Sequence, residues 1–247
     1  LMYGQQEMNI LSSAKHFPGH GDTSTDSHKT LPFINHDKER IFNTELKLLK
    51  EGKSYIDGIE NQALEKINKT DLVTFSHDFS ELKKADVIVI CVPTPLDDKQ
   101  MPDLSFVKKS CYSIALSLRV GQLISLESTT YPGTTEEIVK PILESTGLKC
   151  GKDFFLAYSP ERVDPGNKNY STSNTNKIVG ADDEESLKRA VDFYKLAIKN
   201  VVPVKSIKIA EMAKVFENTF RSVNLALVNQ MALLCHSMDL DVWEMLE

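Results

Sequence analysis

The sequence contains no run of 18 apolar residues, so it offers no helix able to cross a bilayer. It has no basic excess either. Against 35 Asp and Glu stand only 29 Lys and Arg, a net charge of -6, which gives no electrostatic reason to expect a nucleic-acid or membrane partner. No basic segment followed by an apolar core opens the chain, so no secretory signal is visible. Cysteine is sparse: Cys91, Cys111, Cys150 and Cys235 are far apart and form no C-x-x-C, which fits a reduced, cytoplasmic setting. Internal repeats and low-complexity tracts are also missing. No glycine-rich Gly-x-Gly-x-x-Gly turn exists; Gly19-x-Gly21 runs on into Asp22-Thr23-Ser24, and no buried strand precedes it.

What is present suffices for a sizeable core, since 41% of the 247 residues are hydrophobic. Residues 1–35 are polar, with a loop at 18–30. Helical patterning begins at Asp37 and ends near Gly52, a plausible C-cap. Two further helical pieces, Asn61–Lys69 and His77–Lys84, follow. The character then changes. Asp86–Val92 is a continuous, β-branched apolar run, the mark of a strand covered on both faces. Strands at 121–126, 154–158, 177–179 and 201–204 alternate with helices at 103–118, 134–143 and 182–198. Asp103 is the expected N-cap of the first of these helices, and Thr134-Thr-Glu-Glu137 fits a capping box for the second. Cys91 and Cys111 fall in apolar patterns and read as buried small hydrophobes.

The last element, from Ile207 to about Met238, is uninterrupted by Gly or Pro. Ala213, Phe216, Phe220, Val223, Leu227, Met231 and Leu234 form an apolar stripe expected to pack on a core. Glu211, Lys214, Asn218 and Arg221 form a polar stripe that, by spacing alone, reads as a solvated face. The alternation predicts an α/β protein: an incomplete Rossmann-like, doubly wound sheet followed by a long central helix. The N-terminal segment is expected to be irregular or derived from a TIM-barrel enzyme. Expected divisions are an N-terminal segment 1–47, a partial dinucleotide-binding domain 48–206, and the long helix 207–247 as the start of a central domain.

Four motifs occur in order: Val92-Pro-Thr-Pro-Leu96, Leu126-Glu-Ser-Thr-Thr-Tyr-Pro-Gly133, Tyr158-Ser-Pro-Glu-Arg-Val-Asp-Pro-Gly-Asn167 and Glu211-Met-Ala-Lys-Val-Phe-Glu-Asn-Thr219. Together they make residues 48–247 resemble the UDP-glucose/GDP-mannose dehydrogenase family, in its UDP-N-acetylglucosamine 6-dehydrogenase branch. The resemblance implies an NAD-dependent oxidation of a UDP-sugar 6-hydroxyl to a uronate, in supply of surface polysaccharide. It implies that Val92, Pro93, Thr94, Ser128 and Thr129 meet NAD. Thr129 would also hold the reacting hydroxyl or a water. Glu161 would assist deprotonation, Lys214 would stabilise the developing alkoxide, and Asn218 would orient the same centre. Glu161, Arg162, Lys214 and Asn218 would line the substrate. A fixed cation and an amide aimed at developing negative charge suit that chemistry. Read singly, each residue has an ordinary alternative: a Pro-Thr-Pro turn, a surface Glu, a solvated Lys–Asn pair.

The family's Gly-Gly-x-Cys nucleophile loop has no counterpart after the long helix, so a truncated and impaired enzyme is expected. A non-catalytic assembly fragment, a homodimer formed through the long helix, is the alternative. The strand at 86–92 is expected to have an uncovered edge and the fold to be marginal.

Residues 8–46 carry Lys15-His-Phe-Pro-Gly-His-Gly-Asp-Thr-Ser-Thr-Asp-Ser-His28 and resemble family 3 glycoside hydrolases, the β-N-acetylhexosaminidases. That resemblance implies sugar contacts from Lys15 and His16 and an acid/base pair of Asp26 and His28. The second carboxylate that retaining hydrolysis needs is not in this stretch, so residual sugar binding is the furthest expectation. The His and Asp spacing of 16–28 matches no recognised tetrahedral metal motif, and no metal is expected.

Overall fold

The computed structural model describes residues 10–11, 47–54, 60–70, 72–76, 78–162 and 174–246. Six strands form one sheet in chain order: β1 (Ile10–Leu11), β2 (Val87–Ile90), β3 (Leu123–Leu126), β4 (Phe155–Tyr158), β5 (Lys177–Gly180) and β6 (Val201–Val204). Helices run between and after them: α1 (Lys47–Lys50), α2 (Asn61–Asn68), α3 (Ser105–Ala115), α4 (a π-turn Thr135–Val139 continuing as Lys140–Glu144), α5 (Glu184–Lys195), α6 (Ile207–Ser237) and α7 (Val242–Leu246).

The sheet is apolar on both faces because both are covered. Ile88, Ile90, Ile124, Leu126, Leu156 and Tyr158 point to one side, against Val107, Cys111 and Ile114 of α3, Val139 and Leu143 of α4, and Ile207 and Ala210 of α6. Val87, Leu123, Phe155, Ala157 and Val179 point to the other, against Ala190, Phe193 and Tyr194 of α5. A period of two sorts the side chains, and burial on both sides removes any polar alternation. Cys111 is fully buried, and that burial raises its thiol pKa to about 12. Cys91, by contrast, is only half-buried.

Where the turns were legible, local chemistry explains them. Gly52 closes α1 with φ 77°, its N–H on Leu49 O at 3.1 Å and the Lys53 N–H on Leu48 O at 2.8 Å. Asp103, the expected N-cap of α3, lies one residue ahead of that position: Leu104 takes it without a side-chain cap, and Asp103 accepts from the Ser105 N–H at 2.8 Å in the turn that leads into α3.

Four readings need adding to or correcting. First, the alternation left the sense of pairing open, and β4 and β5 pair antiparallel, through Tyr158 and Gly180. No helix is among the described residues between these two strands, and parallel pairing needs a crossover. Second, the edge of β2 is not bare: Ile10 and Leu11 pair with Val87 and Ile88 in parallel, so this part of the N-terminal segment is a strand and not irregular. Third, the capping box of α4 does not form. Thr134 makes no capping bond and turns its hydroxyl to Tyr131 O at 2.7 Å. The helix start is instead served by a carboxylate from α6. Fourth, the apolar stripe of α6 is not packed on the core: Phe216, Phe220, Val223, Leu227 and Leu234 are exposed, whereas Glu211 of the polar stripe is fully buried.

Candidate active site

Strands β2, β3 and β4 are parallel, so their carboxyl ends share one rim, and the antiparallel β5 brings its first residue, Lys177, to that rim as well. Such rims are where open α/β sheets take ligands. The segment after β2 is tied to the segment after β3. Val92 N–H donates to Ser128 Oγ at 2.9 Å, and the same hydroxyl donates back to Val92 O at 2.7 Å. Two residues on, the Thr94 hydroxyl donates to Thr129 O at 2.7 Å. Val92, Pro93, Thr94 and Thr129 are half-buried and Ser128 is buried, so the five expected cofactor-facing residues form one connected turn pair.

Beyond β4, Glu161 and Arg162 are half-buried. Arg162 reaches α6 in a two-pronged ion pair, Nε to Glu217 Oε2 at 3.2 Å and an Nη to Glu217 Oε1 at 3.0 Å, and donates to Asn176 O at 3.0 Å. Lys214 Nζ lies 3.9 Å from Glu217 Oε2. Planar guanidinium and carboxylate make a geometrically exacting pair, which fixes the 159–162 segment against the helix carrying Lys214. Asn218 is exposed, one turn beyond Lys214.

A second tie joins α6 to the turn before α4. Glu211 accepts from Gly133 N–H at 2.5 Å, from Thr135 N–H at 2.9 Å and from the Thr135 hydroxyl at 2.7 Å. Burial pushes its carboxyl above the usual range, more than these three donors pull it down. Glycine is obligatory nearby, where α6 passes over β5: a Cβ on Gly180 would meet Ser206 O at 2.5 Å and Ala210 Cβ at 2.8 Å.

Below the rim lies a buried polar cluster. Glu127 pairs with Lys177 at 3.0 Å, and both side chains are nearly dry, 13% and 8% exposed. Tyr194 of α5 donates to Glu127 Oε1 at 2.7 Å and shares a 2.8 Å bond with Ser125. The Lys177 ammonium lies 5.0 Å from the Tyr194 ring centre. Cys91 Sγ is 3.8 Å from Glu127 Oε2. Burial and the Glu127 charge raise the Tyr194 phenol well above its ordinary value. The hydroxyls of Tyr158 and Thr130 are also buried, each without a hydrogen-bond partner of standard geometry. The Tyr158 phenol is pushed up by burial, with a weaker opposing pull from Thr130.

The structure thus brings Thr94, Ser128 and Thr129 together, and it joins Arg162 to the helix of Lys214. Glu127, Lys177, Glu211 and Glu217 were given no role from sequence. The signal for Glu127 was available, since an acid directly after a buried strand must find a partner. Lys177 could not be foreseen as that partner, because the sequence left the direction of β5 open. Lys15, His16, Asp26 and His28 lie outside the described residues, as do His20 and Asp22. Among the described residues no cluster of His, Cys, Asp and Glu could hold a metal, and no helix is long and apolar enough to cross a membrane.

A dinucleotide fits what is present: three parallel strands end in a tethered, hydroxyl-rich turn pair. Comparison with known proteins gives the same assignment. The NAD binding domain model of the UDP-glucose/GDP-mannose dehydrogenase family matches residues 30–198, and that family's central domain model matches 208–247. The first match begins at residue 30, within the stretch that resembled a glycoside hydrolase. Protein CapL of Staphylococcus aureus is 39% identical over 201 residues, 81% of this chain and 47% of the relative. UDP-N-acetyl-D-glucosamine 6-dehydrogenase of Pseudomonas aeruginosa is 39% identical over 171 residues, 68% of this chain and 40% of that enzyme. Among solved structures, UDP-D-ManNAc dehydrogenase from Pyrococcus horikoshii superposes with a TM-score of 0.74 at 34% identity, over 81% of this chain and 48% of that one. The chain therefore spans about half the length of the relatives it matches.

Proposed function

The chain belongs to the UDP-glucose/GDP-mannose dehydrogenase family, and on that premise we propose that it forms the cofactor-binding part of an NAD-dependent UDP-sugar 6-dehydrogenase. The observation that carries this reading is the pair of carboxylate ties from α6 to the strand rim. Glu211 and Glu217 flank Lys214 in sequence and fasten its helix to the turns that follow β3 and β4. Val92, Pro93, Thr94, Ser128 and Thr129 hold NAD, which when bound supplies the hydride acceptor. Glu161 accepts the proton of the sugar hydroxyl, directly or through water. Lys214 and Asn218 face the oxygen on which negative charge develops; removing one such fixed donor costs roughly 3–4 kcal/mol of barrier in comparable sites. Arg162, held by Glu217, shapes the substrate side. UDP-N-acetylglucosamine is the substrate class favoured, supported by the relative from P. aeruginosa that carries that name. The division of labour follows the divisions at 48 and 207: a dinucleotide-binding domain, then a helix that opens a central domain.

Thermal melting of the purified chain tests the proposal. Ligands that bind only the folded state raise the midpoint. A rise with NAD, and a further rise with UDP-N-acetylglucosamine, is expected. No rise with NAD would sink the reading.

A second reading is favoured by a separate observation, the exposed apolar face of α6, with Phe216 at 66%, Phe220 at 62% and Val223 at 61% exposure. Contiguous apolar surface of this kind marks association. We propose that α6 pairs two copies of the chain, so that the protein is a homodimer whether or not it turns over substrate.

A further inference from the structure

Glu211 has no part in the chemistry proposed above, yet a carboxylate with no exposed surface is costly unless its oxygens are bonded. All its recorded partners belong to one short segment of another element: the Gly133 N–H, the Thr135 N–H and the Thr135 hydroxyl. That segment declines its own means of capping, because the Thr134 hydroxyl serves Tyr131 O. Its other end is bound differently, by Ser128 to Val92 and by Thr94 to Thr129 O. The stretch from Ser128 to Thr135 is thus fixed at one end to the β2 turn and at the other to α6. Glu211 lies one turn ahead of Lys214 on the same helix.

We infer that Glu211 is a positioning residue: its carboxylate sets the distance between the Thr129 turn, where the NAD reading puts the nicotinamide because Thr129 also holds the reacting hydroxyl, and the Lys214 ammonium. The inference depends on the NAD reading given above. A glutamine at 211 keeps the volume but turns an N–H donor toward one of the N–H groups that the carboxylate accepts from. The donors then face each other, and the turn moves away from the helix. A valine at Thr135 is milder: it removes the hydroxyl donor and keeps the backbone one.

The test is titration of the purified chain with NAD and, separately, with ADP-ribose, which lacks the nicotinamide, at a temperature well below each variant's melting midpoint. For Glu211→Gln, NAD affinity is expected to fall roughly five- to tenfold while ADP-ribose affinity stays within about twofold, since one buried hydrogen-bond partner is lost near one end of the ligand only. Thr135→Val should shift the same ratio in the same direction by a smaller factor, and it decides the matter if Glu211→Gln does not fold. An unchanged NAD to ADP-ribose ratio in the folded variants, with only a lower melting midpoint, makes Glu211 a brace and overturns the inference. Equal losses for both ligands overturn it as well. A wild-type chain that binds neither ligand overturns the NAD reading itself, which is a distinct result from failure of the variants.

Discussion

At the scale of single residues, the polar groups that matter are those whose hydrogen bonds cannot be replaced by water. Ser128 is the clearest. Its hydroxyl serves both the N–H and the C=O of Val92 while 1% exposed, so Ser128→Ala leaves two backbone groups unmet. The expected cost is about 1–3 kcal/mol, measured by urea unfolding. A loss below about 0.5 kcal/mol would mean that water reaches the turn. Glu211 makes a prediction about pH. Its carboxyl pKa is raised in the folded chain, chiefly by burial, so the folded state holds the proton more tightly than the unfolded state does. Stability from this group is therefore present at low pH and lost as pH rises through the raised pKa. The stability advantage of wild type over Glu211→Gln should shrink as pH climbs above the ordinary carboxylate range. A difference flat in pH would contradict the raised pKa. The sequence announced Ser128 through its motif. It read Glu211 as part of a solvated stripe, because 3-4 spacing says which residues share a face but not what that face meets.

At the scale of elements, the seam between α6 and the sheet is the decisive contact. It is made by Ile207 and Ala210 in the core, by Gly180 beneath them, and by the ties of Glu211 and Glu217. Gly180→Ala places a Cβ against the Ser206 carbonyl, a backbone atom that cannot swing aside. The helix start must move, with an expected loss of about 1–3 kcal/mol by denaturant unfolding. An unchanged midpoint would show that the seam is loose. Arg162→Ala acts on the same seam from the other side. It removes both prongs on Glu217 and leaves Lys214 as that carboxylate's recorded partner. If the proposed substrate role holds, its effect should appear in UDP-sugar affinity and leave NAD affinity within about twofold, as expected when only one ligand's contacts are lost. The boundaries of β2, β3, β4, β5 and β6 were readable to within a few residues, since each is a short, largely apolar run. The direction of β5 was not readable, because pairing sense depends on the path between strands and not on the strand's own composition.

At the scale of the whole molecule, the exposed stripe on α6 is what the assembly reading rests on. Phe216 and Phe220 lie one turn apart, with ring centres 6.4 Å from each other, and Val223 and Leu227 extend the stripe. Sedimentation is expected to show a dimer whose dissociation depends on concentration. The double change Phe216→Glu and Phe220→Glu should give a monomer at the same concentration with the melting midpoint little changed, as neither side chain is in the core. A wild-type chain that stays monomeric at high concentration would sink the assembly reading. The short β1 bears on the same scale: by pairing with Val87 and Ile88 it occupies an edge of the sheet that would otherwise offer bare backbone to another chain.

The sequence by itself determined the class of fold and the family. Covered strands, helix caps and four ordered motifs are local properties, written in neighbouring residues. It also located most of the tethered turn pair, because Val92–Thr94 and Ser128–Thr129 each come soon after a strand that composition marks. Only the tertiary structure decided which charges meet. Glu127 with Lys177, Glu217 with Arg162, and Glu211 with Gly133 and Thr135 are pairs separated by tens of residues. Their partners are set by strand direction and by the passage of α6 across the rim. Short-range patterning fixes where a side chain points on its own element, and the packing of elements fixes what it finds there.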